Sequence, residues 1–181
     1  DDGDEDSDAY RTGGYHPVHL GDMFAKRYLV VEKLGWGHFS TVWMCRDTTQ
    51  GTSPSTRKYV ALKIQKSATH YRDAAFDEIE LLNSVSKACT SEAVLKEHGS
   101  GFDPPVVMLL DNFEHTGPHG RHVCMVFESL GENLLKVIKN YEYQGMSIPV
   151  VQNFTRQILL GLDFLHRHCK IIHTDLKPEN V

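Results

Sequence analysis

Residues 28–47, YLVVEKLGWGHFSTVWMCRD, constrain the fold more than any other stretch. Two runs rich in Val, Tyr, Trp and Thr flank a turn that holds Gly35 and Gly37, and this reads as a β-hairpin, not a helix. KYVALKI follows after TTQGTSPST, a polar connection full of turn residues, and is a short apolar strand interrupted by Lys63. HYRDAAFDEIELLNSVSKA then changes to helical period, with Ala75, Leu82 and Val85 on one face. VVMLLDNFEHTGPHGRHVCMVFESL reads as two more strands around a Gly-Pro turn. Two helices come next. ENLLKVIKNYEYQG is expected to stop at Gly145. SIPVVQNFTRQILLGLDFLHRHC is expected to be capped by Ser147, with Pro149 in its first turn and a buried stripe at Val151, Phe154, Ile158, Leu162 and Leu165. The fold class is therefore α+β: an antiparallel sheet with one helix, followed by a helical part.

Charge narrows the range of partners. The chain carries -5, and its first eight residues, DDGDEDSD, alone carry -6, which leaves +1 for the rest. A near-neutral body without a Lys/Arg run does not favour direct nucleic-acid binding. The acidic start has nothing apolar to bury, so residues 1–14 are expected to be a disordered tail. The cysteines, Cys45, Cys89, Cys124 and Cys169, form no CxxC pair and suit a reducing compartment. No apolar run is long enough for a membrane span and no signal peptide opens the chain, so a cytoplasmic and nuclear location is expected.

Three places carry candidate chemistry. Gly35, Gly37 and Ser40 occupy the three marked positions of a GxGxxG pattern. Glycines there let backbone N–H groups approach phosphates, although a plain hairpin turn would look the same. The pattern lies between two strands, which argues against a dinucleotide fold. Lys63, inside an apolar strand, needs either solvent at a sheet edge or an anion. Glu78 shares the apolar face of the first helix, while Glu80 lies about 200° away from it. The two misplaced charges, Lys63 and Glu78, predict an ion pair. Finally, HTDLKPEN groups Asp175, which can accept or orient a hydroxyl proton, with Lys177, which can neutralise a phosphoryl group. In the same stretch Asn180 offers a carbonyl oxygen to Mg²⁺. His173 is expected to brace this loop. His115, His119 and His122 have spacings a metal could use, but an exposed hairpin turn explains them without zinc. Trp43 is expected to pack in its strand; nothing in the sequence explains Trp36.

LGWGHFSTVW, VALK, DEIELL, MVFESLGENL and HTDLKPEN together resemble the eukaryotic protein kinases from about Tyr28 onward. GGYHPV, LGWGHFSTVW and HTDLKPEN resemble, more narrowly, the SR-protein kinases, which phosphorylate serines in Arg-Ser repeats of splicing factors. The resemblance implies a five-stranded N-terminal lobe over residues 28–126, preceded by an extension at 15–27. It implies a hinge at 127–131 and the start of the C-terminal lobe at 132–181. It implies ATP and Mg²⁺ as cofactors. Lys63 would hold the α- and β-phosphates and pair with Glu78, while Leu34, Val42 and Ala61 would sandwich the adenine. Phe127 would stand at the gatekeeper position, with Glu128 to Leu130 forming the hinge that meets the adenine edge. Asp175 would be the catalytic base, Lys177 the mark of Ser/Thr specificity, and Asn180 a metal ligand.

Thr174 replaces the Arg that precedes the catalytic Asp in most kinases, which implies activity without a phosphorylated activation loop. The family's DFG, activation segment and APE motif would lie beyond Val181, so the expected partners include the remaining half of the kinase domain as well as Arg-Ser-rich splicing factors. The alternative is a non-catalytic module that binds nucleotide or a partner.

Overall fold

The computed structural model describes residues 6–50 and 58–181. Part of the polar connection at 48–56 and the first five residues of the acidic start lie outside them. The chain forms two compact units: Asp1–Leu82 with Met108–Ser129, and Asn83–Val107 with Leu130–Val181. Residues 83–107, expected within the N-terminal lobe, therefore group with the helical part.

The first unit is built on one antiparallel sheet. Its strands are β1 (Met23–Phe24), β2 (Tyr28–Gly37), β3 (Ser40–Asp47), β4 (Lys58–Gln65), β5 (Leu109–Gly117) and β6 (Gly120–Glu128), in the order β1-β2-β3-β4-β6-β5. The sheet has six strands, not five, because Met23 and Phe24 of the extended lead-in pair with Leu29 and Tyr28. Alternation along the strands gives the sheet two buried faces. One collects Phe24, Tyr28, Val30, Trp43, Cys45, Val60, Leu62, Ile64, Cys124 and Val126. On the other, Val123 and Met125 meet Ala75 and Ile79 of α1 (Thr69–Cys89). The unbroken buried run His122–Val126 follows from this, since β6 is covered on both sides.

Residues 6–14, expected to belong to a disordered tail, are instead folded. Asp6 caps a single 3₁₀ turn at Ser7–Ala9, and Gly13 and Gly14 are tied by backbone bonds to His119, Ser67 and Ala68. A Cβ on Gly14 would stand 2.0 Å from the Ala9 carbonyl oxygen, so only glycine fits there.

In the second unit, Ser91 caps α2 (Glu92–His98) and Asn133 caps α3 (Leu134–Asn140) through side-chain bonds to Val94 N–H and Lys136 N–H. The α3 helix stops five residues before Gly145, because Glu142 and Tyr143 already turn left-handed at φ 51° and 58°. The α4 helix (Ile148–Asp163) has Ser147 at its N-cap position, although the hydroxyl makes no capping bond, and it passes into a π-helical stretch at Phe164–Cys169. Its expected stripe is only partly covered. Leu165 is buried and Phe154, Ile158 and Leu162 are half-buried, but Val151 is exposed. Gly161 lets the helix approach the Pro105 carbonyl, which an added Cβ would meet at 2.9 Å. No helix among the described residues is long and apolar enough to cross a membrane.

Candidate active site

The first unit holds a cleft of about 310 Å³ at the tip of the β2–β3 hairpin, lined in part by Gly37, Ser40, Lys63, Gln65, Tyr71 and Glu78. Lys63 lies opposite Val42 in the β3–β4 register and opposite Met125 in the β4–β6 register, on the sheet face that α1 covers. Its Nζ donates to both carboxylate oxygens of Glu78, at 2.8 and 2.9 Å. The helical phase read from the sequence is thus the one adopted, with Glu80 exposed. Glu78 holds the ammonium in place yet remains about two-fifths exposed, so part of the charge field is free to act on a second anion in the cleft.

Gly35 and Gly37 bear on phosphate binding through an absence. A Cβ on either would meet no protein atom within 4 Å, and neither residue has a positive φ. Neither packing nor turn geometry demands glycine there, whereas close approach of a bound group to the backbone would. Together with the fixed Lys63 cation, these residues fit the triphosphate of ATP.

The hairpin is anchored by a residue that sequence reasoning missed. Tyr15 Oη donates to the Gly37 carbonyl at 2.6 Å, and the Lys66 ammonium lies 4.3 Å from the Tyr15 ring centroid. The signal was the GGYHPV stretch, but nothing local places a tyrosine against a glycine 22 residues away. Tyr71 was also missed, although it lies one turn before Ala75 on α1; its ring packs edge-on to Phe39 at the hairpin tip.

The expected adenine residues lie outside this cleft, on the strands. Leu34 on β2 is half-exposed, Val42 on β3 and Ala61 on β4 are half-buried, and Ala61 faces Phe127 across the β4–β6 ladder. Phe127 packs against the α1-side core. The Glu128 carboxylate accepts the Met108 N–H at 3.4 Å, which ties the end of β6 to the segment before β5. Leu130 is 64% exposed.

The second unit brings together Asp175, Lys177 and Asn180. Lys177 Nζ lies 2.9 Å from Asp175 Oδ2. Asn180 Nδ2 donates to the same oxygen at 3.0 Å and to the Asp175 carbonyl at 2.9 Å. These bonds occupy the amide nitrogen and leave the Asn180 carbonyl oxygen as the end of the group suited to a hard cation. The Lys177 hydrogen bond is the main reason that the Asp175 carboxyl is held below its ordinary range. The Asp175 N–H donates to the His173 carbonyl at 2.9 Å and to His173 Nδ1 at 3.3 Å, so His173 does brace the loop. Between them Thr174 is left-handed at φ 63°, a conformation that costs a β-branched residue on the order of 1–3 kcal/mol. The surrounding loop bonds offset that cost.

His115, His119 and His122 do not converge on a metal position. His119 Nδ1 bonds the Tyr15 carbonyl, His122 Nδ1 bonds the Gln65 carbonyl, and the His115 ring packs on His16 and Phe24. Trp43 is buried, as expected, and its Nε1–H donates to Thr41 Oγ1.

A family model described as protein kinase domain matches residues 28–181. The chain is 53% identical over 178 residues to the serine/threonine-protein kinase SRPK of Physarum polycephalum, covering 98% of this chain and 38% of that protein. It is 49% identical over 181 residues to SRSF protein kinase 3 of Homo sapiens, and 47% identical over 179 residues to protein kinase dsk1 of Schizosaccharomyces pombe. Each alignment covers at least 98% of this chain, and 30% of the other protein. The chain thus spans about a third of the length of the curated relatives it matches. With the Gly-rich hairpin, the Lys63–Glu78 pair and the HTDLKPEN loop in place, this chain belongs to the protein kinase domain family and, within it, to the type represented by these SR-protein kinases.

Proposed function

We propose that these residues belong to an ATP-dependent protein serine/threonine kinase that phosphorylates serines in Arg-Ser-rich proteins. The observation that carries the catalytic part is the Lys63–Glu78 pair, at 2.8 and 2.9 Å, in a cleft shared with Gly37 and Ser40. Lys63 and the backbone of Gly35–Ser40 would hold the phosphates of ATP, and Asn180 would supply one oxygen to Mg²⁺, which neutralises phosphate charge when bound. Asp175 would accept a hydrogen bond from the substrate hydroxyl. With its carboxyl lowered by Lys177, it is a weak base, so its larger contribution is to orient that hydroxyl and take the proton late in the transfer. Lys177 lies beside it and would balance charge on the transferring group.

The substrate class rests on the likeness to the SRSF protein kinase. Residues 1–181 contain no Asp-Phe-Gly, the motif that carries the family's second metal ligand, and these residues alone are expected to transfer no phosphate at a useful rate. The test uses a chain extended to the length of its relatives, incubated with labelled MgATP and either an Arg-Ser repeat peptide or the matching Lys-Ser peptide. Phosphoserine on the Arg-Ser peptide, at least tenfold above the Lys-Ser peptide, is expected. Equal labelling of both would remove the substrate assignment, and labelling of neither would favour a non-catalytic nucleotide-binding module.

A further inference from the structure

A second cluster of ligating side chains lies in the helical unit, away from HTDLKPEN. Glu97 and His98 end α2, and His168 stands in the π-helical stretch Phe164–Cys169. One ligand atom from each lies within 4.8 Å of the other two. His98 Nε2 is 3.6 Å from Glu97 Oε1, and His168 Nε2 is 3.5 Å from Glu97 Oε2. Nitrogen and oxygen donors about 2.0–2.2 Å from a tetrahedral Zn²⁺ stand roughly 3.4 Å from one another. Each imidazole is thus close to that spacing from one oxygen of the Glu97 carboxylate.

An independent observation points into the same spot. The His168 side chain is 10% exposed, and its Nε2 is fully buried without a hydrogen-bond partner, although it faces Glu97. A buried imidazole nitrogen left unpaired is costly, and a cation would supply what it lacks. The rings are also held in place. His98 stacks on Phe102 at 4.1 Å and 17°, Phe102 packs on Phe164, and Phe164 packs on His168.

We propose that Glu97, His98 and His168 form a binding site for a divalent cation of zinc type, which ties the end of α2 to the π-helical stretch. Two imidazoles and one carboxylate suit Zn²⁺, and water would fill the fourth position. Arg167 holds the same carboxylate, donating through Nη2 to Oε1 at 2.7 Å and through Nη1 to Oε2 at 3.4 Å, and it also donates through Nε and Nη2 to both oxygens of Asp163. This is the outer-layer support that metal-binding carboxylates commonly have. Glu97, Asp163 and Arg167 sum to -1 with neutral imidazoles, so the site attracts a dication.

The test is equilibrium dialysis of the purified chain against Zn²⁺, paired with the visible spectrum of the Co²⁺ form. One bound equivalent is expected, with the bands of four-coordinate Co²⁺ and no sulfur-to-metal charge transfer from Cys89 or Cys169. H98Q and H168Q should each weaken binding at least tenfold, while H119Q leaves it unchanged. No bound equivalent, binding retained in the H98Q/H168Q double variant, or a thiolate charge-transfer band would overturn the site. The spectrum of the unmodified chain decides the matter even if a variant fails to fold.

Discussion

Asp47 shows how much one buried carboxylate can determine. Its side chain is 4% exposed and takes two bonds from Arg27, at 2.9 and 2.7 Å, with Thr49 bonding one of the same oxygens. Arg27 is the main cause that lowers its carboxyl from 3.8 to about 2. A carboxyl depressed by folding contributes stability that is present above its unfolded value and lost as pH falls through the folded one. Asp47 should therefore contribute about 2 kcal/mol at neutral pH, disappearing between roughly pH 4 and pH 2. D47N is expected to lower the free energy of unfolding by about that amount and to flatten the acid limb in urea titrations at several pH values. An unchanged midpoint at pH 7 would show that the ion pair contributes nothing net. Lys63 and Glu78 are the residue-scale case that sequence could read, since each charge was out of place in its own periodic pattern.

At the scale of elements, the N-terminal segment is a working part of the sheet, and it was the least legible. Period and turn residues reveal the β2–β3 hairpin, α1 and its phase because these are local properties. The docking of Gly13–His16 on the β5–β6 turn depends on contacts more than 100 residues apart, which no local pattern carries. The ends of α3 and the coverage of α4 were misread for a related reason: left-handed Glu142 and Tyr143 stop α3 with no glycine, and an apolar stripe does not say what covers it. His16 is the pin of the docked segment. Its ring packs against His115, His122 and Phe24, and its Nδ1 would collide with a Cβ at Gly117. Burial is the main cause that lowers His16 from 6.5 to about 4, with His115, His122 and His119 adding to it and Asp22 opposing. The folded state must keep this imidazole neutral while the unfolded chain protonates it below about pH 6.5. Stability should thus be full above that pH and fall by up to about 3 kcal/mol as pH drops to 4. H16F, which keeps a ring but cannot titrate, should lose most of that slope in thermal unfolding across pH 4–7. A slope equal to that of the unmodified chain would place the acid sensitivity on His115 and His122 instead.

On the scale of the whole molecule, the HTDLKPEN loop, proposed above as catalytic, bears on regulation. Thr174 is exposed, uncharged and held left-handed by the bonds of its neighbours, so Asp175 is positioned without an adjacent arginine that calls for an activating phosphate. With the proposed function, the full-length protein is therefore expected to keep its turnover of an Arg-Ser peptide after phosphatase treatment, and T174R to become phosphatase-sensitive. A large loss in the unmodified enzyme, restored when its activation loop is rephosphorylated, would refute this. The central claim is that the Gly-rich hairpin and the Lys63–Glu78 pair form the phosphate site of a kinase. The measurement that tests it most directly is the initial rate of γ-phosphate transfer from MgATP to an Arg-Ser peptide by the full-length chain and by its K63M variant. K63M should fold, because an apolar side chain suits β4, and should lose at least a hundredfold in kcat, on the order of 3 kcal/mol of transition-state stabilisation. A folded K63M enzyme within threefold of the original rate would contradict the account.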